Sequence, residues 1–108
     1  MTGFTMFAGD DVDLVVTVAG EGVDLEAAQA IRFQAAKRPA GPPVVSKGLG
    51  TGIAVVSETQ FKVTIGSADT EAMNGTYYCE AEVIDGAGKV STVLSGSMSV
   101  KPTLIKPA

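Results

Sequence analysis

Along most of the chain, apolar residues recur at every second position. The clearest instance runs from Asn74 to Lys101. Tyr77, Cys79, Ala81 and Val83 share one face there, and Tyr78, Glu80 and Glu82 the other. Further on, Val90, Leu94, Met98 and Val100 face one way, with Thr92 and Gly96 between them. Ser91, Ser95, Ser97 and Ser99 interleave, and Val93 breaks the rule. A period of two marks a strand with one buried and one wet face. Between the runs, Asp85-Gly86-Ala87-Gly88 supplies residues that tolerate the backbone of a tight reversal. The pattern predicts a long hairpin.

Other segments carry the same signal in shorter form. Phe4-Thr-Met-Phe7 is a short apolar opening, closed by the turn-forming Ala8-Gly9-Asp10-Asp11. Val12, Leu14, Val16 and Val18 form an inward set opposite Asp11, Asp13 and Thr17, which predicts a half-buried strand. Gly20-Glu-Gly22 turns the chain, Val23-Asp-Leu25 reads as a short strand or bend, and a bend or single helical turn is expected before Ala30. In Ile31–Lys37, Ile31, Phe33 and Ala35 alternate with Arg32, Gln34 and Ala36, again a strand. The prolines of Arg38-Pro-Ala-Gly-Pro-Pro43 break regular structure. Val44–Lys47 then reads as a strand near an edge, because Pro42 and Pro43 donate nothing to a ladder. Ile53–Ser57 and Gln60–Ile65 follow as strands, the second with Phe61, Val63 and Ile65 inward. Ser67–Met73 predicts a short helical turn, with Ser67 as its cap and Asp69 and Glu71 near its positive end.

The expected architecture is all-β: about seven to nine short strands with Greek-key connections and one short helical crossover. A sandwich suits this spacing, with a small barrel as the alternative. Residues 1–101 make the domain, and Pro102–Ala108 an extended tail bracketed by prolines. At 108 residues, one domain can bury roughly 60–70% of its unfolded surface without a metal or disulfide. No run approaches the roughly 18 apolar residues of a membrane span. The opening residues lack the basic and apolar regions of a secretory signal, which points to synthesis in the cytoplasm.

Net charge changes the picture by exclusion. At −4, with no basic cluster beyond Lys37-Arg38, the chain lacks the positive stripe that neutralises phosphates, so no nucleic-acid partner is expected. Lys37-Arg38 is read as flanking a strand end. The single cysteine, Cys79, excludes an intrachain disulfide and falls on an inward position, as a small core hydrophobe would. With no histidine and one cysteine, no transition-metal site is expected, and without histidine no nucleophile–base–orienter set is expected, so no cofactor, metal or catalytic residue is assigned. Asp10, Asp11, Asp13 and Asp24 form the densest carboxylate group, and Glu80 and Glu82 share a face. These carboxylates alternate with apolar residues, as on a solvated strand, and lack the spacing of a calcium loop. Gly48-Leu-Gly-Thr-Gly52 has no Lys-Ser or Lys-Thr after it, so it reads as a turn and not a phosphate loop.

Gly75-Thr-Tyr77-Tyr-Cys79 resembles the Gly-x-Tyr-x-Cys signature of immunoglobulin domains. That resemblance implies an immunoglobulin-like β-sandwich in which the Tyr77 hydroxyl makes a corner bond to upstream backbone. Met73 stands where that pattern has Asp, there is no tryptophan, and Cys79 has no partner, so a disulfide-pinned core is excluded. Phe4–Val18, Val23–Leu25, Ile31–Phe33 and Asn74–Lys101 together resemble the immunoglobulin-like domains of tailed-bacteriophage particle proteins. In pattern they are similar to the N-terminal domain of the phage baseplate upper protein.

The resemblance implies a non-enzymatic virion protein, made in the host cytoplasm, that works by contact with other capsid or tail subunits. Head decoration or cement, head–tail joining and the baseplate are its possible places, and its brevity points to decoration or bracing. Repetition by virion symmetry would make it a homo-oligomer. Phe4, Tyr78, Leu104 and Ile105 are the expected contact residues, through strand addition or apolar insertion. The alternative is a stand-alone module binding a cell-surface protein or carbohydrate, for which Tyr78 is the natural exposed aromatic.

Overall fold

A computed structural model describes residues 2–18, 24–39 and 41–102. Eight strands appear there: β1 (Thr2–Phe7), β2 (Val12–Thr17), β3 (Ala30–Ala36), β4 (Pro43–Leu49), β5 (Gly52–Ser57), β6 (Gln60–Ile65), β7 (Gly75–Ile84) and β8 (Val90–Lys101). A 3-10 turn, Leu25–Ala27, precedes β3, and a one-turn helix, α1 (Ser67–Thr70), joins β6 to β7. The strands follow the order β1-β8-β7-β3-β4-β5-β6-β2. The link between β4 and β5 is the weak one. They meet in parallel at two residue pairs only, Gly48 with Gly52 and Leu49 with Ile53.

Strands so close in sequence pair in parallel only where the chain arches over from one layer to the next. Gly50 and Gly52 make the arch, with φ of 83° and 99°. A side chain at Gly52 would also come within 2.6 Å of the Lys47 stem. The sheet therefore folds there into a five-stranded layer, β1-β8-β7-β3-β4, facing a three-stranded layer, β5-β6-β2. With the last two strands beside the third in one layer and the second beside the sixth in the other, this is an immunoglobulin-like sandwich without a disulfide.

One core fills the space between the layers. Ile31, Phe33, Tyr77, Cys79, Met98 and Val100 come from the larger layer, and Val16, Ile53, Phe61, Val63 and Ile65 from the smaller. Phe33 and Phe61 have no exposed surface, and burying each stabilises the fold by about 1.5–3 kcal/mol.

Two expectations need correction. Val90 does not share the face of Met98. A bulge pairs Ala81 with Leu94 but Glu82 with Thr92, so Val93 is an extra residue and the alternation changes phase there. Val90 lies opposite Ile84 on the outer side and is 56% exposed. Nor does Ser67 cap α1. Gly66 occupies the cap position, and its N–H donates to the Asp69 carboxylate at 2.7 Å. The Ser67 N–H donates to Asp11 Oδ1 at 2.8 Å, so the helix start is closed by an aspartate from the β1–β2 turn.

That turn is tied to α1 a second time. Thr70 is wholly buried, and its hydroxyl accepts from the Gly9 N–H at 3.0 Å. Asp69 also pairs with Lys47 at 2.8 Å, linking α1 to β4. One end of the sandwich is thus held by side chains reaching across the layers.

Candidate functional site

The outer face of the five-stranded layer carries a shallow hollow of about 340 Å³. Three rungs of the β3–β7 ladder form its floor: Arg32 opposite Glu82, Gln34 opposite Glu80, and Ala36 opposite Tyr78. Directly opposed residues on one face are in contact range, so the register alone pairs an arginine with a glutamate. Ala36 is too small to fill the space beside the Tyr78 ring, which leaves the depression. Arg38, Pro39, Gly41 and Pro43 rim it from the β3–β4 connection.

Most of its polar groups hold one another. The Tyr78 hydroxyl donates to Glu80 Oε2 at 2.6 Å, and that bond is the main reason the phenol's pKa is raised. Arg32 lies 3.7 Å from Glu82, an exposed pair contributing about 0–1 kcal/mol. Gln34 donates to Ser46 Oγ at 3.3 Å, and Arg38 has no ion-pair partner among the described residues.

On the opposite face of the same strand, Tyr77 is buried. Its hydroxyl accepts from the Asn74 N–H at 3.1 Å, a bond to upstream backbone. The Lys37 ammonium sits 4.3 Å above its ring and donates to Asn74 O at 3.0 Å. Cys79 is 2% exposed, and burial raises the pKa of its thiol.

The expected contact residues do not form one patch. Tyr78 is half-buried and lines the hollow. Phe4 is half-buried against the core, paired with Met98, on the other side of the sheet. Leu104 and Ile105 lie outside the described residues, as does the tail from residue 103. The acidic group is also divided. Asp11 closes α1, and Asp13 accepts from the Thr64 hydroxyl at 3.1 Å. Asp24 accepts from the Glu26 N–H and meets Glu26 and Glu58 at the far end of β2, all three exposed.

Arg32 and Arg38 are the site residues that sequence reasoning missed. Arg32 shares the outward parity that gives it Glu82 as a neighbour, a signal readable once strand pairing is known. Arg38 joins the lining of the hollow only through the path of a proline-broken loop. Comparison with protein-family models and with curated proteins gives no match.

Proposed function

We propose that the chain is a non-enzymatic structural or accessory subunit of a tailed-bacteriophage particle, acting through protein–protein contact at the outer face of its larger sheet. The observation that carries the contact reading is that Tyr78, Arg32 and Arg38 line one hollow. Tyrosine and arginine are the residue types that dominate binding energy when a partner covers them. Side-chain bonds to Glu80 and Ser46 already hold Tyr78 and Gln34, so little of their side-chain freedom is lost on docking. The particle setting rests on the resemblance of Phe4–Val18 and Asn74–Lys101 to phage immunoglobulin-like domains. In that setting the partners are other virion proteins of the head, neck or baseplate, met in the host cytoplasm during assembly.

Mass spectrometry of purified particles tests this reading. The chain is expected at a copy number that matches capsid or tail symmetry. Arg38→Glu with Tyr78→Ala is expected to reduce incorporation at least tenfold while leaving the fold intact by circular dichroism. Absence of the wild-type chain from intact particles would sink the proposal.

A second reading has its own observation. Tyr78, Glu80 and Gln34 line the same hollow, a combination of flat apolar surface with hydrogen-bonding groups that also suits a sugar. Glycan-array binding abolished by Tyr78→Ala would put this carbohydrate-binding reading first.

A further inference from the structure

Among the described residues, three edges of the sandwich are guarded and one is not. β2 carries Asp13, with Asp11 just before it. β4 opens on Pro42-Pro43, and β5 is broken by a register shift at Val56. Charges, prolines and bulges are the devices that stop edge strands from pairing with other chains. β1, Thr-Gly-Phe-Thr-Met-Phe, has no charge and no proline, and its pairing with β8 runs without a register shift from residue 2 to residue 7. Among the described residues its other side has no neighbouring strand.

We propose that β1 pairs antiparallel with β1 of a second copy of this chain about a two-fold axis through Thr5, joining the two five-stranded layers into one continuous sheet. The proposal is independent of the hollow around Tyr78 and of the particle setting. Ladder geometry selects the register. The Ala8 N–H donates to Lys101 O, continuing the parallel ladder, in which alternate residues bond to the neighbour. The even-numbered residues of β1 therefore serve β8, and Gly3, Thr5 and Phe7 aim their N–H and C=O groups at the free edge.

Antiparallel partners must lie on the same face, so their numbers share parity. Centring on Thr5 pairs Thr5 with Thr5 and Gly3 with Phe7, both ways round. Each of these is a hydrogen-bonded pair, giving about six bonds in total.

The side chains fit the same register. Gly3 leaves its position bare on the outer face, where a Cβ would lie 3.1 Å from Ser97 Oγ. Phe7 is 50% exposed on that face. In the two-fold register the Phe7 ring of each copy lies over Gly3 of the other, the packing by which an aromatic covers an edge glycine. Thr5 meeting Thr5 is a favourable cross-strand pair. No carboxylate lies on either strand, so the negative charges of the two copies are kept from this contact, whereas self-pairing of β2 would bring its aspartates together. The interface is isologous and closes at two copies.

Sedimentation velocity from micromolar to millimolar protein, with amide hydrogen exchange at the same concentrations, tests the pairing. A dimer is expected, with exchange at Gly3, Thr5 and Phe7 slowed more than tenfold as it forms. Thr5→Pro removes the central donor at a position whose N–H faces away from β8, so the monomer fold should survive and the dimer should not. Thr5→Lys, which leaves the backbone donor in place and sets two ammonium groups face to face, is expected to weaken the dimer at least tenfold. A wild-type monomer at millimolar concentration would overturn the proposal. So would a dimer that both variants leave unchanged, or protection of these three amides only when a different particle protein is added.

Discussion

Tyr77 has 5% of its surface exposed, accepts a backbone N–H on its hydroxyl and carries an ammonium over its ring. Tyr78, the next residue, turns to the opposite face of β7, lines an open hollow and bonds only to another side chain. Strand alternation puts the two rings on opposite faces, but the difference in role comes from what each hydroxyl meets. The Tyr77 hydroxyl and Lys37 together satisfy both the N–H and the C=O of Asn74, fixing the backbone that leads into β7. The Tyr78–Glu80 bond fixes no backbone, so a partner can replace it at small cost to the fold. A tied backbone marks the residue that stabilises; a side-chain-only bond at a concave surface marks the one free to bind.

Truncating both rings gives the largest expected difference between the two tyrosines. Tyr77→Ala is expected to cost about 3–5 kcal/mol, as for other buried aromatics cut back to alanine. Tyr78→Ala is expected to cost under about 1 kcal/mol, as for a partly exposed site without a backbone tie. Tyr77→Phe, which removes only the hydroxyl, should fall between them at about 1 kcal/mol. Urea unfolding of the three variants gives the answer. Equal losses for the two alanine variants would remove the distinction.

The alternation that separates these tyrosines was legible in the sequence, as were the strands around it. Strand phase follows from period two, and turns from glycine and proline, so Phe33, Phe61, Val63 and Ile65 all fall inward as expected. Legibility ended where one residue shifted a register or a contact spanned the chain. Two apolar residues in a row, Val93 and Leu94, can continue a strand or bulge it, and only the pairing of Ala81 with Leu94 and of Glu82 with Thr92 shows that Val93 is the extra residue. Thr70 looks like an ordinary helix-surface polar residue, and its burial depends on Gly9, which is 61 residues away. The hollow stayed hidden because Arg38 reaches it through a loop whose path no local pattern specifies.

A smaller effect is expected at the tied end of the sandwich. Burial raises the pKa of the Asp69 carboxyl, but the Lys47 ammonium and the Gly66 N–H outweigh it and hold the group below the ordinary carboxylate range. A carboxylate whose pKa is depressed by folding stabilises the native state above its unfolded value, near pH 4, and loses that contribution as pH falls through the folded value. Lys47 and Asp69 are partly exposed, at 18% and 28%, so the contribution is about 1 kcal/mol rather than that of a buried pair. Asp69→Asn should therefore lower stability at pH 7 by about that amount and flatten its decline between pH 5 and 2. Unchanged acid unfolding in the variant would show that Lys47 and Gly66 do not hold the carboxylate in solution.

The smallest effect tests the half-buried Tyr78 itself. The Glu80 carboxylate accepts the phenol proton, so ionising Tyr78 both breaks that bond and places two negative charges side by side. Its pKa is raised for that reason, chiefly through the hydrogen bond. Glu80→Gln keeps an acceptor but removes the charge, and is expected to bring Tyr78 ionisation back toward the ordinary phenol value, near pH 10. Ultraviolet titration of the variant against wild type, both in a Tyr77→Phe background so that one phenol is read, measures the shift. A downward shift in Glu80→Gln, with the unfolding midpoint at pH 7 unchanged, would establish a side-chain bond that holds Tyr78 without supporting the fold. No shift would mean that the Tyr78 hydroxyl faces water, and the hollow would then lose its ordered aromatic wall.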